Sequence, residues 1–575
     1  MQTIKKYICQ YSIWMILMGF FFMGITGIFF NFGLPHSVSD ETILLASALK
    51  MLAEPTLTPA FETNYHMPLG VYIYLPLIAI FLTIFMLLGI FSSFQELTVF
   101  GVLNYAELLP IARFISVILG SVSIYTTYRI AQLIYRDQVA ALASSFLLAT
   151  SLMFIQLSHT GRVWIPQITV ILLTLYAIVN LYYAKKDILR LYILSGLGVA
   201  ASFGTHFIGI LIYIPFFIVH LLRKSPPIEW RQIFLDRNFW MANGVICAAL
   251  FLIYVSNPYG FNNYSELSVD SIVKISSAGI NSMSIFDNSG YYARILFEYE
   301  PVLIILFLLS LPVLLRRHRT TFLLLGSFIV IYYLAITLAG GRGIGFEPRF
   351  ISPVIPFLAL MSGYGISYWW HKRTDSRHLK IKYGIVLVIA VTILVMPLRW
   401  ISLIAFAPNT TENAREWIFK NIPNNAGILQ FTTHSIPLPH NKDSLLEKEK
   451  TSPQLFTTQD KFLLENGPLN YSNPPLFFVV RANSISEDQL TQYSPDQFQY
   501  VMLAWWNYSN RTKALTQTSL IDWNSLELIV RFPENDRWYE NMDIINNMRH
   551  PYYYLPNMSF TGPIIEIYKT SLKSS

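Results

Sequence analysis

Charge is what this sequence has least of. Only 13% of its 575 residues are Asp, Glu, Lys or Arg, against 53% hydrophobic and 15% aromatic. Soluble globular chains carry about 25% charged residues, so this composition belongs to a polytopic membrane protein and excludes an ordinary soluble enzyme. Cysteine is nearly absent. Cys9 and Cys247 both fall in or beside apolar runs, which excludes a disulfide framework or a metal knuckle. The net charge of +7 is no nucleic-acid footprint, because its basic residues sit in short loops between apolar runs. Inverted halves with repeated hydropathy, the mark of many transporters, are also missing.

What the chain has is long apolar runs. The first covers about 12–30; others follow at roughly 67–91, 110–134, 138–157, 163–183, 191–221, 238–256, 301–315, 322–338, 350–370 and 382–403. Each is near the ~20 residues that a bilayer requires. The first run lacks a small-residue cleavage site and is read as a retained span. Lys5 and Lys6 before it put the N-terminus in the cytoplasm. The loop at about 31–66 is then extracytoplasmic, as is the segment after the last span. Arg223-Lys224, Arg316-Arg317-His318-Arg319 and His371-Lys372-Arg373 fall inside, as the positive-inside rule expects. Simple alternation fails for Arg136 and Lys185-Lys186, which it places outside. The 191–221 run would also be about 46 Å long as one helix, too long for a core of roughly 30 Å without tilt. Gly204-Thr205-His206 offers a break.

After about residue 404 the long apolar runs stop. This part holds 14 Lys+Arg against 17 Asp+Glu, so the positive excess lies before it. Residues 411–418 read as a short helix with a polar start. Short β-like runs follow at 427–432, 476–481, 500–505, 526–531 and 564–568. The expected architecture is a polytopic α-helical membrane domain, 1–403, of about eleven to thirteen spans. A soluble extracytoplasmic α/β domain follows at 404–575.

The stretch most suited to chemistry is HSVSDETILLASALKMLAEPTLTPAFETNYHMPLGVYIYLP, residues 36–76. Asp40 and Glu41 stand together just beyond a span, where an unpaired charge is penalised. An N-cap is the local alternative for Asp40 and can coexist with a chemical role; a favourable first-turn acid is the alternative for Glu41. The stretch closes on Tyr65-His66-Met67-Pro68. A second polar loop, Gly340-Gly341-Arg342-Gly343-Ile344-Gly345-Phe346-Glu347-Pro348-Arg349, reaches the same side. Its glycines make an adaptable backbone.

The order of these pieces resembles the GT-C superfamily of membrane glycosyltransferases, most closely its protein O-mannosyltransferase and aminoarabinose-transferase branch. Five segments carry the resemblance: Asp40-Glu41, His66-Met67-Pro68-Leu69, Ala112-Arg113-Phe114, Ser195-Gly196-Leu197-Gly198, and Arg349-Phe350-Ile351-Ser352-Pro353 with Pro356. Met67 replaces a proline of that pattern. Thr205-His206 stands where Thr-Lys is common, and no Asp follows Arg162. Trp505-Trp506-Asn507-Tyr508-Ser509 is similar to an oligosaccharyltransferase signature but lacks its acid, and is read as a buried strand.

The resemblance implies transfer of a sugar from a polyprenyl-phosphate donor to an acceptor hydroxyl or amine outside the membrane. Inversion at the anomeric carbon is expected. The acceptor is a glycan, lipid or protein, and the chain sits among the lipids of the cytoplasmic membrane without nucleic acid. Asp40 is the candidate base. Glu41 orients Asp40, binds the acceptor or holds a metal. Arg349, Arg342 and Arg113 are assigned to the donor phosphate, since Arg pairs bidentately with such anions. His66 and Glu347 are assigned to a divalent metal or to substrate; no cofactor is named. The rival reading is a flippase for lipid-linked glycans. That reading asks for polar residues along the spans, whereas here the acids cluster in loops.

Overall fold

The computed structural model describes residues 2–29, 39–54, 56–59, 68–103, 105–224, 230–256, 285–340, 348–372, 376–432 and most of 436–570. In the last part the main gaps are 467–474, 483–489, 516–520 and 535–549. Of Asp40 only the backbone is described, and His66, Arg342 and Glu347 lie outside the described residues.

The first half is helical. It holds α1 (Gln2–Ile25), α2 (Ser39–Ala53), α3 (Pro68–Leu87), α4 (Phe94–Leu103), α5 (Leu109–Tyr135) and α6 (Gln138–Ala149). There follow α7 (Leu152–Ser158), α8 (Trp164–Tyr183), α9 (Ile188–Thr205), α10 (Tyr213–Leu222), α11 (Trp230–Phe234) and α12 (Arg237–Ser256). The later ones are α13 (Ile285–Tyr299), α14 (Pro301–Arg317), α15 (Arg319–Gly340), α16 (Ile355–His371) and α17 (Ser376–Phe406). Proline stands in the first turn of α3, α5, α8, α14 and α16, where its missing N–H costs no helix bond. Asp137 caps α6 by accepting from Val139 and Ala140 N–H, and Ser151 caps α7 by accepting from Phe154 N–H. The second cap explains why the 138–158 segment breaks, bending by 60° between α6 and α7.

Eight of these helices are long and apolar enough to cross a membrane, or ten if each bent pair counts as one span. Adding the shorter apolar helices at Tyr11–Ile25 and Phe207–Leu222 brings the candidates among the described residues to twelve, against the expected eleven to thirteen.

Contacts sort the helix termini into two ends. At one, the Tyr135 ring meets those of His318 and Tyr364. Asp137 accepts from Ser367 and pairs with His371. Arg136 lies over Tyr183, Arg317 over Tyr368, and Arg223 donates to the Leu181 and Ala184 carbonyls. At the other end lie residues 23–28, the starts of α5 and α8, the end of α9 and the turn at 348–354.

The misfit of simple alternation has two physical causes. First, α3 lies across the bundle rather than down it. Tyr74 touches Ser116 and Phe81 touches Phe114, both near the start of α5. At 1.5 Å per residue a descending α3 would carry Phe81 roughly 20 Å away. Second, the 191–221 run is two helices. α9 stops at Thr205, His206 is extended, and a 3-10 turn at Phe207–Ile212 leads into α10. One crossing is lost and one gained. Arg136 and Lys185-Lys186 therefore join Arg223, Arg317 and His371 at the same end.

The C-terminal part holds α18 (Thr410–Asn421), α19 (Lys442–Thr451), α20 (Thr458–Asn466), α21 (Pro551–Asn557) and five strands. The strands are β1 (Gly427–Thr432), β2 (Phe478–Arg481), β3 (Tyr500–Trp505), β4 (Leu526–Phe532) and β5 (Ile564–Thr570), in the order β2-β1-β3-β5-β4. β1 pairs parallel with β2 and β3; β5 pairs antiparallel with β3 and β4. One face packs on Ala414 and Ile418 of α18. Helix α21 departs from this pattern. Its Leu555, and Met558 just beyond it, are buried in the core of the membrane part.

Candidate active site

Several chain breaks meet at the Arg113 end. Helix α2 begins at Ser39, so Asp40 stands inside its first turn rather than at a cap. The next residue, Glu41, is fully buried. Its carboxylate accepts from Arg113 twice, Nε to Oε1 at 2.7 Å and Nη2 to Oε2 at 3.0 Å. Oε1 also accepts the Gly161 N–H at 2.7 Å. Arg113 is 1% exposed and donates its Nη1 to the Ile28 carbonyl at 3.0 Å. One ion pair thus ties α2, α5, the end of α1 and the turn between α7 and α8. Bidentate Arg–carboxylate pairs are strong and directional. Burial makes this one costly to break, because either partner alone would be a desolvated charge.

Gly161 is required by this geometry. A Cβ there would sit 2.6 Å from the Ala112 Cβ and 3.3 Å from the Glu41 Cγ. The turn is secured from both sides. Tyr74 donates to the Arg162 carbonyl at 3.0 Å, and Ser116 donates to the Thr160 carbonyl at 2.7 Å. His159 brings its ring nitrogens to the Ile155, Met23 and Thr26 carbonyls.

Beyond the turn, Trp164 links two further breaks. Its ring lies 4.9 Å from His206 and 5.2 Å, edge-on, from Phe350. Arg349 is half-buried with its guanidinium 5.8 Å from the Phe350 ring. Tyr332 donates to the Phe350 carbonyl at 3.0 Å. The start of α3 reaches the same place, since a Cβ on Gly70 would approach Val163 at 3.2 Å.

The structure therefore brings Glu41 and Arg113 into contact and puts the Asp40 backbone beside them. Arg349 stands at the same end, on the Trp164–Phe350 side. His66, Arg342 and Glu347 are outside the described residues, as is the Asp40 side chain. Among the described residues no three His, Cys, Asp or Glu gather as a metal site. The Glu41–Arg113 pairing departs from an acid free for chemistry and an arginine free for phosphate; the geometry is that of a clamp. Sequence reasoning missed Gly161, Trp164 and Tyr74. The break before Pro166 was the available signal for the first two; nothing local marks Tyr74 among the other aromatics of α3.

Residues 107–256 match the family model described as dolichyl-phosphate-mannose-protein mannosyltransferase. The match spans α5 to α12 and includes Arg113, Gly161 and His206. The resemblance drawn from the motifs is borne out over this stretch, about a quarter of the chain. No curated protein sequence matches. Among solved structures the chain is similar to ArnT from Cupriavidus metallidurans in the apo state. There the identity is 13%, the TM-score 0.49, and 92% of this chain and 96% of that one are covered. It is also similar to the oligosaccharyltransferase AglB from Archaeoglobus fulgidus, with 10% identity, TM-score 0.45 and 86% and 69% covered. The S. cerevisiae Pmt1–Pmt2 complex gives 11% identity, TM-score 0.31 and 45% and 34% covered.

Proposed function

We propose that this chain moves one sugar from a polyprenyl-phosphate donor to an acceptor hydroxyl or amine at the extracytoplasmic membrane face. The family-model match supports the donor class. The observation that carries the residue assignment is the buried Glu41–Arg113–Gly161 clamp, which holds the first turn of α2 where Asp40 stands. In this reading the Asp40 carboxylate takes the acceptor's proton as its oxygen or nitrogen attacks the anomeric carbon. The carbon–oxygen bond to phosphate breaks with inversion, and the lipid phosphate leaves as an anion. Arg349, with Arg342, is the cation assigned to that anion. Glu41 and Arg113 act by positioning. His66 and Glu347 remain assigned to substrate or a divalent metal.

Orientation follows from the two ends. Arg136, Lys185-Lys186, Arg223, Arg317 and His371 share one end, which under the positive-inside rule faces the cytoplasm. The Arg113 end and the C-terminal domain then face outward, in the plasma membrane.

The test uses purified wild type and Asp40→Asn with a panel of radiolabelled polyprenyl-phosphate sugars and membrane extract. Transfer by wild type, lost in Asp40→Asn with donor binding kept, supports the assignment and names the sugar. Equal transfer by both removes Asp40 as the base. Transfer by neither, with donor lipid moved across vesicles instead, replaces the reaction with flipping.

A further inference from the structure

A second buried acid lies at the far end of α7. Glu300 is 6% exposed and occupies the break between α13 and α14, where the chain bends by 108°. Its Oε1 accepts from Ser151 Oγ at 2.6 Å and from Met153 N–H at 3.1 Å. It thus holds the start of α7, while Glu41 accepts the Gly161 N–H just past the end of the same helix. Helix α7 has seven residues, all buried, and a short helix clamped at both ends moves as one piece.

Glu300 is also covered from outside the membrane part. A small cleft beside it is lined by Thr150, Leu152, Ile393, Pro397 and Tyr552, among others. Tyr552 belongs to α21, which enters the chain between strands β4 and β5. The His550 ring pairs with Glu298 at 2.9 Å, and the His550 N–H donates to the same carboxylate at 3.2 Å. Arg399 of α17 donates to the Leu555 and Met558 carbonyls. The C-terminal domain therefore sends a segment into the membrane part that ends against the helix break holding α7.

We infer that Glu300 is a positioning residue for the proposed transfer, and that the 550–558 segment sets its position, so that the C-terminal domain is coupled through α7 to the Asp40–Glu41 turn. This rests on the reading of that turn as the reacting end. The path is contiguous: segment 550–558, the α13–α14 break, Glu300, α7, Gly161, Glu41.

The test compares full-length wild type, Glu300→Gln, Ser151→Ala and His550→Ala in lipid nanodiscs. Hydrogen exchange across 152–162 reads the coupling without requiring any reaction. Exchange about tenfold faster there in Glu300→Gln and in His550→Ala, with α8 and α9 unchanged, supports the relay. Exchange confined to 298–303, or unchanged, overturns it. Kinetics read the positioning role: kcat falls about tenfold in Glu300→Gln while the donor KM stays within about twofold. A double-mutant cycle of His550→Ala with Glu300→Gln then shows effects on kcat that do not multiply, whereas independent sites multiply to within about twofold. Altered exchange in a protein that transfers no sugar would keep the coupling and reject only the reaction. Should Glu300→Gln not fold, Ser151→Ala, which removes one donor and no charge, carries the same readings.

Discussion

The two ends of the helix bundle solve opposite problems with similar residues. At the Arg113 end the charges are buried. Glu41 and Arg113 exclude water and join four segments through one ion pair. At the Tyr135 end several charges are open to water. His371 is 61% exposed where it meets Asp137, and Arg136 and Arg317 rest on tyrosine rings. A buried pair fixes geometry and makes its own loss expensive. An exposed pair contributes little and tolerates exchange. The end with fixed geometry is the one to which the proposed function assigns its reacting carboxylate.

That contrast can be broken most forcefully at Arg113. Arg113→Met leaves Glu41 buried without its partner, a cost of about 3–5 kcal/mol. The apparent unfolding temperature of the purified protein should drop sharply and sugar transfer should vanish. A variant melting with wild type would remove the clamp from the account. Gly161→Ala comes next. It forces a methyl against Ala112 and should cost about 1–3 kcal/mol, with transfer lost at temperatures where the fold survives. Unchanged transfer in this variant would mean that the turn can shift without consequence.

The C-terminal part sharpens the comparison with a third case, a histidine that is only partly covered and lies among charges. Burial pushes the His440 imidazole well below its usual value, helped by Lys448 and Arg481 nearby and opposed by Asp460. The folded state therefore keeps His440 neutral, while the unfolded chain protonates it near the ordinary imidazole value of 6.5. The stability associated with neutral burial is fully present above that value and falls as the pH drops below it. Exchange of the β1 and β2 amides, corrected for intrinsic rates, should quicken from pH 6.5 to 5. His440→Gln should flatten that slope; an equal slope in the variant would assign it to other groups. The smallest effect belongs to the wet end. His371→Ala should change stability by no more than about 1 kcal/mol, and a loss as large as that at Arg113 would abolish the distinction between the ends.

Much of the C-terminal fold is legible from short-range pattern. The runs at 427–432 and 500–505 coincide with β1 and β3, because a short, largely apolar run bounded by polar residues marks a strand buried on both faces. Trp505 ends β3 and is buried, as its reading as a core residue anticipates. The break at Gly204-Thr205-His206 is legible from length alone. The path of α3 is not. Its 20 residues are as apolar as any span, and hydropathy records what a helix avoids, not its direction. The clamp is half legible. The acid pair and Arg113 stand out as charges among apolar residues, but their separation of 72 positions hides that they neutralise one another. Glu300 escapes for the same reason: its partners, Ser151 and Met153, are about 150 residues away.

Helix α17 adds a consequence of another kind. It is 31 residues long, about 46 Å at 1.5 Å per residue, and only 11% of its apolar window is covered by protein. Leu387, Val388 and Val391 project outward. Its firm anchorage is near its far end, where Trp400 is buried and Arg399 holds the 555–558 carbonyls. Over most of its length the neighbour of this helix is the solvent, and that solvent is lipid. Along α17 the bilayer takes the part that a packed core plays elsewhere. A detergent with the wrong micelle thickness therefore acts there as a core mutation does in a soluble protein.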